Sequence, residues 1–199
     1  MSGMAGESSG LSDRIAARLR TTAAVHQRLA DGEVVTAIAA AAAAMKEALA
    51  AGKSILVLGN GGSAADAQHF AAELVVRYER ERPGRSAIAL TTDTSILTAA
   101  GNDRGFEQVF ARQIDALGRA GDVALAITTS GTSPNVVRAL DAANARGLIT
   151  IALTGRDGGG AGGLARIHVN VPEARTALVQ EAHITVLHTW CELIDGDIE

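Results

Sequence analysis

Residues 54–73 read SILVLGNGGSAADAQHFAAE, and this stretch decides how the rest of the chain is interpreted. The apolar run 55–58 is short and rich in branched side chains, which favours a strand buried on both faces. The glycines of 59–62 then predict a tight turn. A helix follows, because Ser63 suits the N-cap, Asp66 stands three residues later as in a capping box, and alanines continue the pattern. We predict one βα unit here.

A glycine-rich loop that opens a helix is a site for an anion, since free backbone N–H groups and the helix dipole both favour negative charge. The turn residues expected to contact it are Asn60, Gly61, Gly62 and Ser63. On the same helix, His69 and Glu73 are four residues apart and share a face, like two ligands of one metal. Such a pair is more often a solvated pair, so a metal site needs further ligands.

Composition limits the class of protein. With 199 residues, 47% of them hydrophobic, we expect one domain over residues 11–199, including N-terminal helices over 11–51, after a disordered tail over 1–10. The net charge is −4 and the 18 Lys and Arg residues are scattered, which argues against nucleic-acid or membrane partners. Cys191 is the only cysteine, so there is no intramolecular disulfide. We expect a cytoplasmic protein.

The remaining pattern predicts the fold class. Two helical segments, 12–29 and 33–50, come first, and the alanine-rich second one is explained equally well by packing on another subunit or by compositional bias. Apolar runs then suggest strands at 55–58, 86–90, 123–127, 148–153 and 167–171, with helical spacing at 63–77, 105–117 and 134–146. This is an α/β protein with a five-stranded, mainly parallel sheet sandwiched by helices and an N-terminal helical extension. Ligands of such folds bind at the carboxyl ends of the strands.

A second loop at a strand end carries hydroxyl groups. Residues 128–135 read TTSGTSPN, with Ser133 at a helix cap and Pro134 in the first helical position. Hydroxyls beside a helix N-terminus can each bond a separate phosphate oxygen, although an ordinary Ser/Thr turn is the alternative. Paired with the glycine loop, the phosphate interpretation is favoured. Its expected contacts are Thr128, Thr129, Ser130, Thr132 and Ser133. Polar residues after the second strand, Asn102 and Asp103 among them, fit sugar hydroxyls or simple turns.

Taken together, these motifs resemble the sugar isomerase (SIS) family, and within it the phosphoheptose isomerases that act on sedoheptulose 7-phosphate. The residues that carry the resemblance are 59–69 with Glu73 and Arg77, then 101–103, 129–131 with Ser133, and Gln180-Glu181 with His183 and His188. The resemblance covers nearly the whole chain and implies a homotetramer built by the N-terminal helices. Thr128 departs from the family pattern, where serine is more usual.

The resemblance also implies roles for site residues. Zinc would be bound by His69, Glu73, Gln180 and His188, and Glu73 and His188 would be catalytic. Substrate contacts would include Asp66, Glu73, Arg77 and Gln180. Because an amide oxygen is a poor zinc ligand, we expect one labile ion per subunit. Gln180 and His188 are eight residues apart, about 12 Å along a helix, so they converge from two ends or one serves a neighbouring subunit.

The reaction implied is the isomerisation of sedoheptulose 7-phosphate to D-glycero-D-manno-heptose 7-phosphate, the first step of nucleotide-activated heptose biosynthesis. Proton transfer between neighbouring carbons through an enediolate needs a base, an acid and a positive centre. Glu73 is the expected base, His188 the acid and zinc the Lewis acid.

Three alternatives stay open at this point. Gly59, Gly61 and Ala64 fit the dinucleotide pattern G-x-G-x-x-A, but the first acid after a second strand, Asp93, comes 34 residues after Gly59 where roughly 20 is expected. A non-catalytic family member that binds the replication initiator would not need the intact metal set. An isomerase of another sugar phosphate is separated poorly by sequence.

Overall fold

The computed structural model describes residues 2–196, with side chains from residue 10 onward. Within that range eight α-helices surround one sheet. The helices are α1 (Ser2–Ala30), α2 (Val34–Ala50), α3 (Gly62–Val75), α4 (Thr94–Arg104), α5 (Ala111–Leu117), α6 (Pro134–Ala145), α7 (Gly159–Leu164) and α8 (Thr176–Asp195). The strands are β1 (Ile55–Gly59), β2 (Ala87–Ala89), β3 (Val123–Thr128), β4 (Ile149–Gly155) and β5 (Ile167–Val171).

All five strands are parallel, in the order β2-β1-β3-β4-β5, which confirms the predicted sheet. Every residue of β1 and β3 is buried, as expected for central strands covered on both faces. Two details differ from expectation. The helix predicted over 105–117 is divided into a 3₁₀ turn, Phe106–Gln108, and α5. The short, glycine-rich α7 was not predicted.

Two hydrophobic clusters cover the two faces of the sheet. On one face, α2, α3 and α8 contribute Met45, Phe70 and Trp190. On the other, the segments from α4 to α7 contribute residues that include Phe110, just before α5, and Leu140 of α6. Because α3 and α6 lie on opposite faces, the chain leaves the neighbouring strands β1 and β3 in opposite directions. This divergence determines where a crevice opens.

The N-terminal helices pack mainly on α8. Trp190 donates its indole N–H to the carbonyl of Ile38 in α2 at 2.9 Å. From α1, His26 bonds Thr185 at 2.9 Å, and Thr22 donates to Glu181 at 2.8 Å. The backbone of α1 is helical from Ser2, but side chains of residues 1–9 lie outside those described, so the disordered tail stays a prediction. No helix within residues 2–196 is both long and apolar enough to cross a membrane.

Candidate functional site

The crevice between the ends of β1 and β3 is the topological switch point of the sheet. In open parallel sheets, ligands bind where neighbouring strands send their connections to opposite faces. Here the two flanking loops are the two anion loops predicted from sequence, residues 59–63 and 128–133. The topology therefore brings both loops to one crevice.

A reciprocal side-chain pair joins the first loop to the start of α6, directly after the second loop. Asn60 donates from Nδ2 to Oδ1 of Asn135 at 2.8 Å, and Asn135 returns the same bond at 2.9 Å. Asn135 is 2% exposed. The Asn60 amide, expected to contact substrate, is thus engaged by the first turn of α6.

Close backbone contacts and a positive φ angle explain the glycines of the first loop. A Cβ at Gly59 would lie 2.7 Å from the Ser63 carbonyl oxygen and 2.8 Å from that of Ile127, so only glycine fits. Gly61 has φ +56°, a left-handed backbone that favours glycine, and it is the N-cap of α3. The expectation that Ser63 is the cap was wrong, because the helix begins at Gly62 and Ser63 is 3% exposed inside its first turn.

The second loop folds on its own hydroxyls. The buried Thr128 accepts the Gly131 N–H at 3.2 Å, and Ser130 Oγ accepts the Thr132 N–H at 3.2 Å. Ser133 is the N-cap residue of α6 by backbone geometry, with Pro134 in the first turn as predicted. Thr129 and Ser130 are half-buried at the strand end. The predicted hydroxyl cluster therefore exists, with Thr128 serving the loop's own backbone.

An open cleft of about 440 Å³ lies beside the joined loops. It contains Asn60 and Ser133 from the predicted set. Sequence reasoning missed its other members, which are Phe106, Glu107, Pro134, Asn135 and Arg138. Phe106 is 63% exposed, an unusual position for a phenylalanine. No periodicity marks the 3₁₀ turn that carries it.

His69 and His188 meet in the groove between α3 and α8. Their Nε2 atoms are 2.8 Å apart, so one imidazole donates and the other accepts. Glu73 Oε1 lies 3.5 Å from the same nitrogen of His69. Tyr78, which was not predicted, stacks at 5.4 Å between ring centroids on His188. Three of the four predicted metal ligands therefore gather, and they do so within one chain.

Gln180, the fourth predicted ligand, lies at the other end of the same groove. Its amide fills the space that a Cβ at Gly62 would need, at the N-terminus of α3. Gly62 precedes His69 by seven residues, about 10 Å along the helix. Gln180 therefore lies beside the glycine loop, where an amide could reach a bound anion.

The donor types at the histidine pair fit zinc, which is commonly bound by two histidines and a carboxylate at catalytic sites. The distance between the two histidine nitrogens does not match that of two zinc ligands. Tetrahedral ligation at about 2.0–2.1 Å per bond places two nitrogens roughly 3.3 Å apart, wider than the observed hydrogen bond. Among residues 10–196, no group of three or more His, Cys, Asp or Glu side chains is arranged to hold a metal ion. Binding would require the rings to separate and Glu73 to approach.

The other predicted substrate residues lie outside the two joined loops or contact other side chains. Asp66 has a buried Oδ2 without a hydrogen-bond partner, and burial raises its pKa while His69 opposes that rise. Arg77 pairs with Glu81 at 2.9 Å on an exposed segment. Asn102 donates to Asp103 at 2.7 Å near the exposed end of α4. Of these four residues, Asp66 is the one with a buried polar atom that has no hydrogen-bond partner.

An ion cluster holds the C-terminal end of α3. Arg82 donates to the carbonyl of Glu73 at 2.9 Å and to Asp195 of α8 at 2.6 Å, and Arg85 joins Asp195 at 3.1 Å. Arg82 and Asp195 are nearly buried. The cluster links the backbone of the candidate base to the helix that carries His188. Neither arginine stood in a recognisable motif.

Two other titratable groups serve packing. His183 is fully buried and donates from Nε2 to the carbonyl of Thr154 at 3.0 Å, and burial lowers its pKa to about 4. Burial, with a smaller contribution from Glu73, raises the pKa of the Cys191 thiol to about 12. The thiol is therefore protonated at neutral pH and is not a nucleophile.

Comparison with known proteins identifies the family. The sequence profile of the SIS domain matches residues 21–155. A phosphoheptose isomerase from Geobacter metallireducens is 50% identical over 185 residues, which cover 93% of this chain and 97% of that protein. The solved structure of phosphoheptose isomerase GmhA from Neisseria gonorrhoeae superposes with a TM-score of 0.87 at 47% identity, covering 93% of this chain and 98% of that one. A phosphoheptose isomerase from Francisella tularensis gives 0.88 at 40% identity, covering 92% and 97%.

The chain therefore belongs to the SIS domain family. Within that family it is an enzyme of the isomerase class, because it is about half identical to curated phosphoheptose isomerases over nearly their whole length. The resemblance drawn from sequence is confirmed. The dinucleotide-binding and non-catalytic alternatives are not supported by these relatives.

Proposed function

We propose that this isomerase acts on a phosphorylated sugar and that it converts sedoheptulose 7-phosphate to D-glycero-D-manno-heptose 7-phosphate. The observation that supports this best is the spacing along α3. An anion at the glycine loop and a reaction at His69 and Glu73 would be about 10 Å apart. An extended seven-carbon sugar phosphate spans such a distance, with its phosphate at one end and its carbonyl at the other.

The phosphate is expected at the switch point, on the hydroxyls and backbone of the two joined loops. Two helix N-termini, those of α3 and α6, face this crevice and favour negative charge. Gln180 adds an amide beside Gly62. Binding energy from this remote group orients the reacting carbons without taking part in the chemistry.

Proton transfer is assigned to the groove between α3 and α8. Glu73 takes the proton from the carbon beside the carbonyl and returns it to the neighbouring carbon, forming an enediolate between the two steps. The hydrogen-bonded pair of His69 and His188 holds one proton between two nitrogens, so His188 can give or take a proton at a substrate oxygen. Zinc held by His69, Glu73 and His188 would supply a Lewis acid for the substrate oxygens, and Glu73 and His188 would have to leave the ion to transfer protons, because a lone pair bound to zinc cannot accept one.

Solvent exposure argues for a second subunit at the site. The His69 side chain is 43% exposed and that of Glu73 is 23% exposed, whereas an enediolate needs protection from water. The apolar side chains of Leu11, Ile15 and Leu19 line an exposed stripe of α1 at helical spacing. We expect a homotetramer in which the N-terminal helices contact other copies and cover the groove.

The decisive experiment measures conversion of sedoheptulose 7-phosphate by the purified protein with zinc added, beside Glu73→Gln and the control Glu79→Gln. Glu79 is an exposed glutamate six residues after Glu73. Loss of the base should lower kcat by about 100-fold or more, whereas the control should match the parent. Full activity of Glu73→Gln would refute the assigned base. Turnover of a shorter sugar phosphate in place of the seven-carbon one would refute the substrate.

A further inference from the structure

The segment between β4 and β5 lies directly against the second anion loop. The N–H of Ala161 in α7 donates to the carbonyl of Gly131 at 2.9 Å. A Cβ at Gly131 would collide with the backbone of Gly158, so the two segments touch through bare backbone. The position of residues 128–133 therefore follows the position of α7.

The ring of His168 in β5 packs directly against α7. A Cβ at Gly162 would lie 2.5 Å from Cε1 and 2.7 Å from Nε2 of that ring. A Cβ at Gly158 would collide with the same ring. The imidazole thus occupies the space left by two glycines, and α7 can pack this close to β5 only while both positions lack side chains.

A chain of hydrogen bonds fixes the ring in place. Asn170 donates from Nδ2 to the carbonyl of Arg156 at 3.0 Å, which directs its Oδ1 toward Thr154. Thr154 donates its hydroxyl to that oxygen at 2.8 Å. The 2.7 Å contact between Thr154 Oγ1 and His168 Nε2 must then have the imidazole as donor. Since Thr154 is fully buried, the ring cannot turn away without losing this bond in a dry environment.

The same polar row reaches the anion loop directly. Thr128, Thr154 and Asn170 are aligned in register across β3, β4 and β5. Thr128 Oγ1 accepts the N–H of Gly131 at 3.2 Å. Gly131 is therefore held twice, by the row through Thr128 and by the ring through α7.

We propose that His168 is a positioning residue for the substrate phosphate. Its ring sets the distance between α7 and β5, and α7 in turn sets the position of the backbone of residues 129–133 that binds the anion. This inference rests on the proposed function, because it takes that loop as the phosphate site. His168 does not touch substrate itself. It acts through the contact between Ala161 and Gly131.

The test is Gly162→Ala, with Gly163→Ala as the matched control. Both glycines lie in α7, but a Cβ at Gly163 meets nothing within 4 Å. The methyl group at position 162 should displace α7 and weaken binding of inorganic phosphate by about tenfold, with a similar rise in KM for the sugar phosphate and kcat within about twofold. Gly163→Ala should match the parent protein. Equal phosphate affinity of the two variants would overturn the proposal.

Two further variants guard against misfolding. In Gly162→Ala/His168→Ala the ring that meets the methyl group is gone. The double variant should therefore bind phosphate more tightly than Gly162→Ala. His168→Ala alone should bind phosphate more weakly than the parent, and unchanged binding would overturn the proposal. Phosphate titration followed by ³¹P NMR needs no turnover. A protein that binds phosphate but does not convert sedoheptulose 7-phosphate would therefore refute the proposed function alone, while no phosphate binding by the parent would refute this inference.

Discussion

Asn60 and Asn135 exchange two hydrogen bonds across the switch point, and no other described side-chain amides pair in this reciprocal way. One residue follows β1 and the other opens α6, so the pair connects helices on opposite faces of the sheet. The two anion loops therefore keep a fixed separation before any ligand arrives. Such preorganisation lowers the cost of ordering the site on binding.

Removing one amide of this pair should destabilise the protein through the other. Asn135→Ala leaves the half-buried Asn60 amide unpaired and should lower the free energy of unfolding by about 1–3 kcal/mol. In the double variant Asn60→Ala/Asn135→Ala the second loss should be much smaller. Urea unfolding of all four proteins measures the coupling. Strictly additive losses would show that the pair contributes no interaction energy.

Zinc affinity should separate the predicted ligands. His188→Ala should weaken zinc binding by about 100-fold or more, whereas Gln180→Ala should weaken it by about tenfold or less, because the Gln180 amide lies against Gly62. His26→Ala is the control, since that histidine bonds Thr185 between α1 and α8. Competition with a chromogenic chelator gives the affinities. An equal loss in Gln180→Ala and His188→Ala would place Gln180 among the ligands.

Buried His183 should make stability depend on pH in acid. Its pKa is lowered from 6.5 to about 4 by burial, so the unfolded chain binds this proton first as the pH falls. Above pH 6.5 the imidazole is neutral in both the folded and the unfolded chain, so its titration does not affect stability, and stability is lost between about pH 6.5 and 4, by on the order of 3 kcal/mol. His183→Gln keeps a donor for the Thr154 carbonyl but does not titrate. The difference between the two unfolding free energies should therefore shrink or change sign as the pH falls, and a constant difference would refute the assignment.

The ion cluster at the end of α3 should be costly to break. Asp195→Ala leaves Arg82 and Arg85 without their carboxylate, and the Arg82 side chain is only 11% exposed, so unfolding should become easier by about 3 kcal/mol. Glu81→Ala breaks the exposed pair with Arg77 and should change stability by less than about 1 kcal/mol. Denaturant midpoints compare them directly. Similar losses in both variants would contradict the role of burial.

The strands could be predicted because their signals are local. Fully apolar runs such as 123–127 are characteristic of strands covered on both faces, and the glycines after 55–58 mark the turn. Helix α7 could not be predicted, because four of its six residues are glycines, which disfavour helix. It forms where Gly162 packs on the His168 ring, a contact made by tertiary structure.

The site was predictable in part for the same reason. His69 and Glu73 share a helix, so their proximity follows from spacing alone. The meeting of His69 with His188 joins residues 119 positions apart, and Asn60 meets Asn135 across 75 positions. Such contacts depend on the order of strands and the packing of helices, which single-residue patterns do not contain. The N-cap at Ser63 was wrong because Gly61 reaches a left-handed backbone that ends the turn two residues earlier.

Trp190 is an intrinsic fluorescent probe of the protein. It is the only tryptophan in the chain, it is fully buried against Phe70 of α3, and its indole N–H is bonded to Ile38 of α2. Any loosening of the N-terminal helices from α8 would admit water to the indole and shift its emission to longer wavelength. Two residues away along α8, His188 is hydrogen-bonded to His69, so one fluorophore reports on the helix that joins the N-terminal helices to the candidate site.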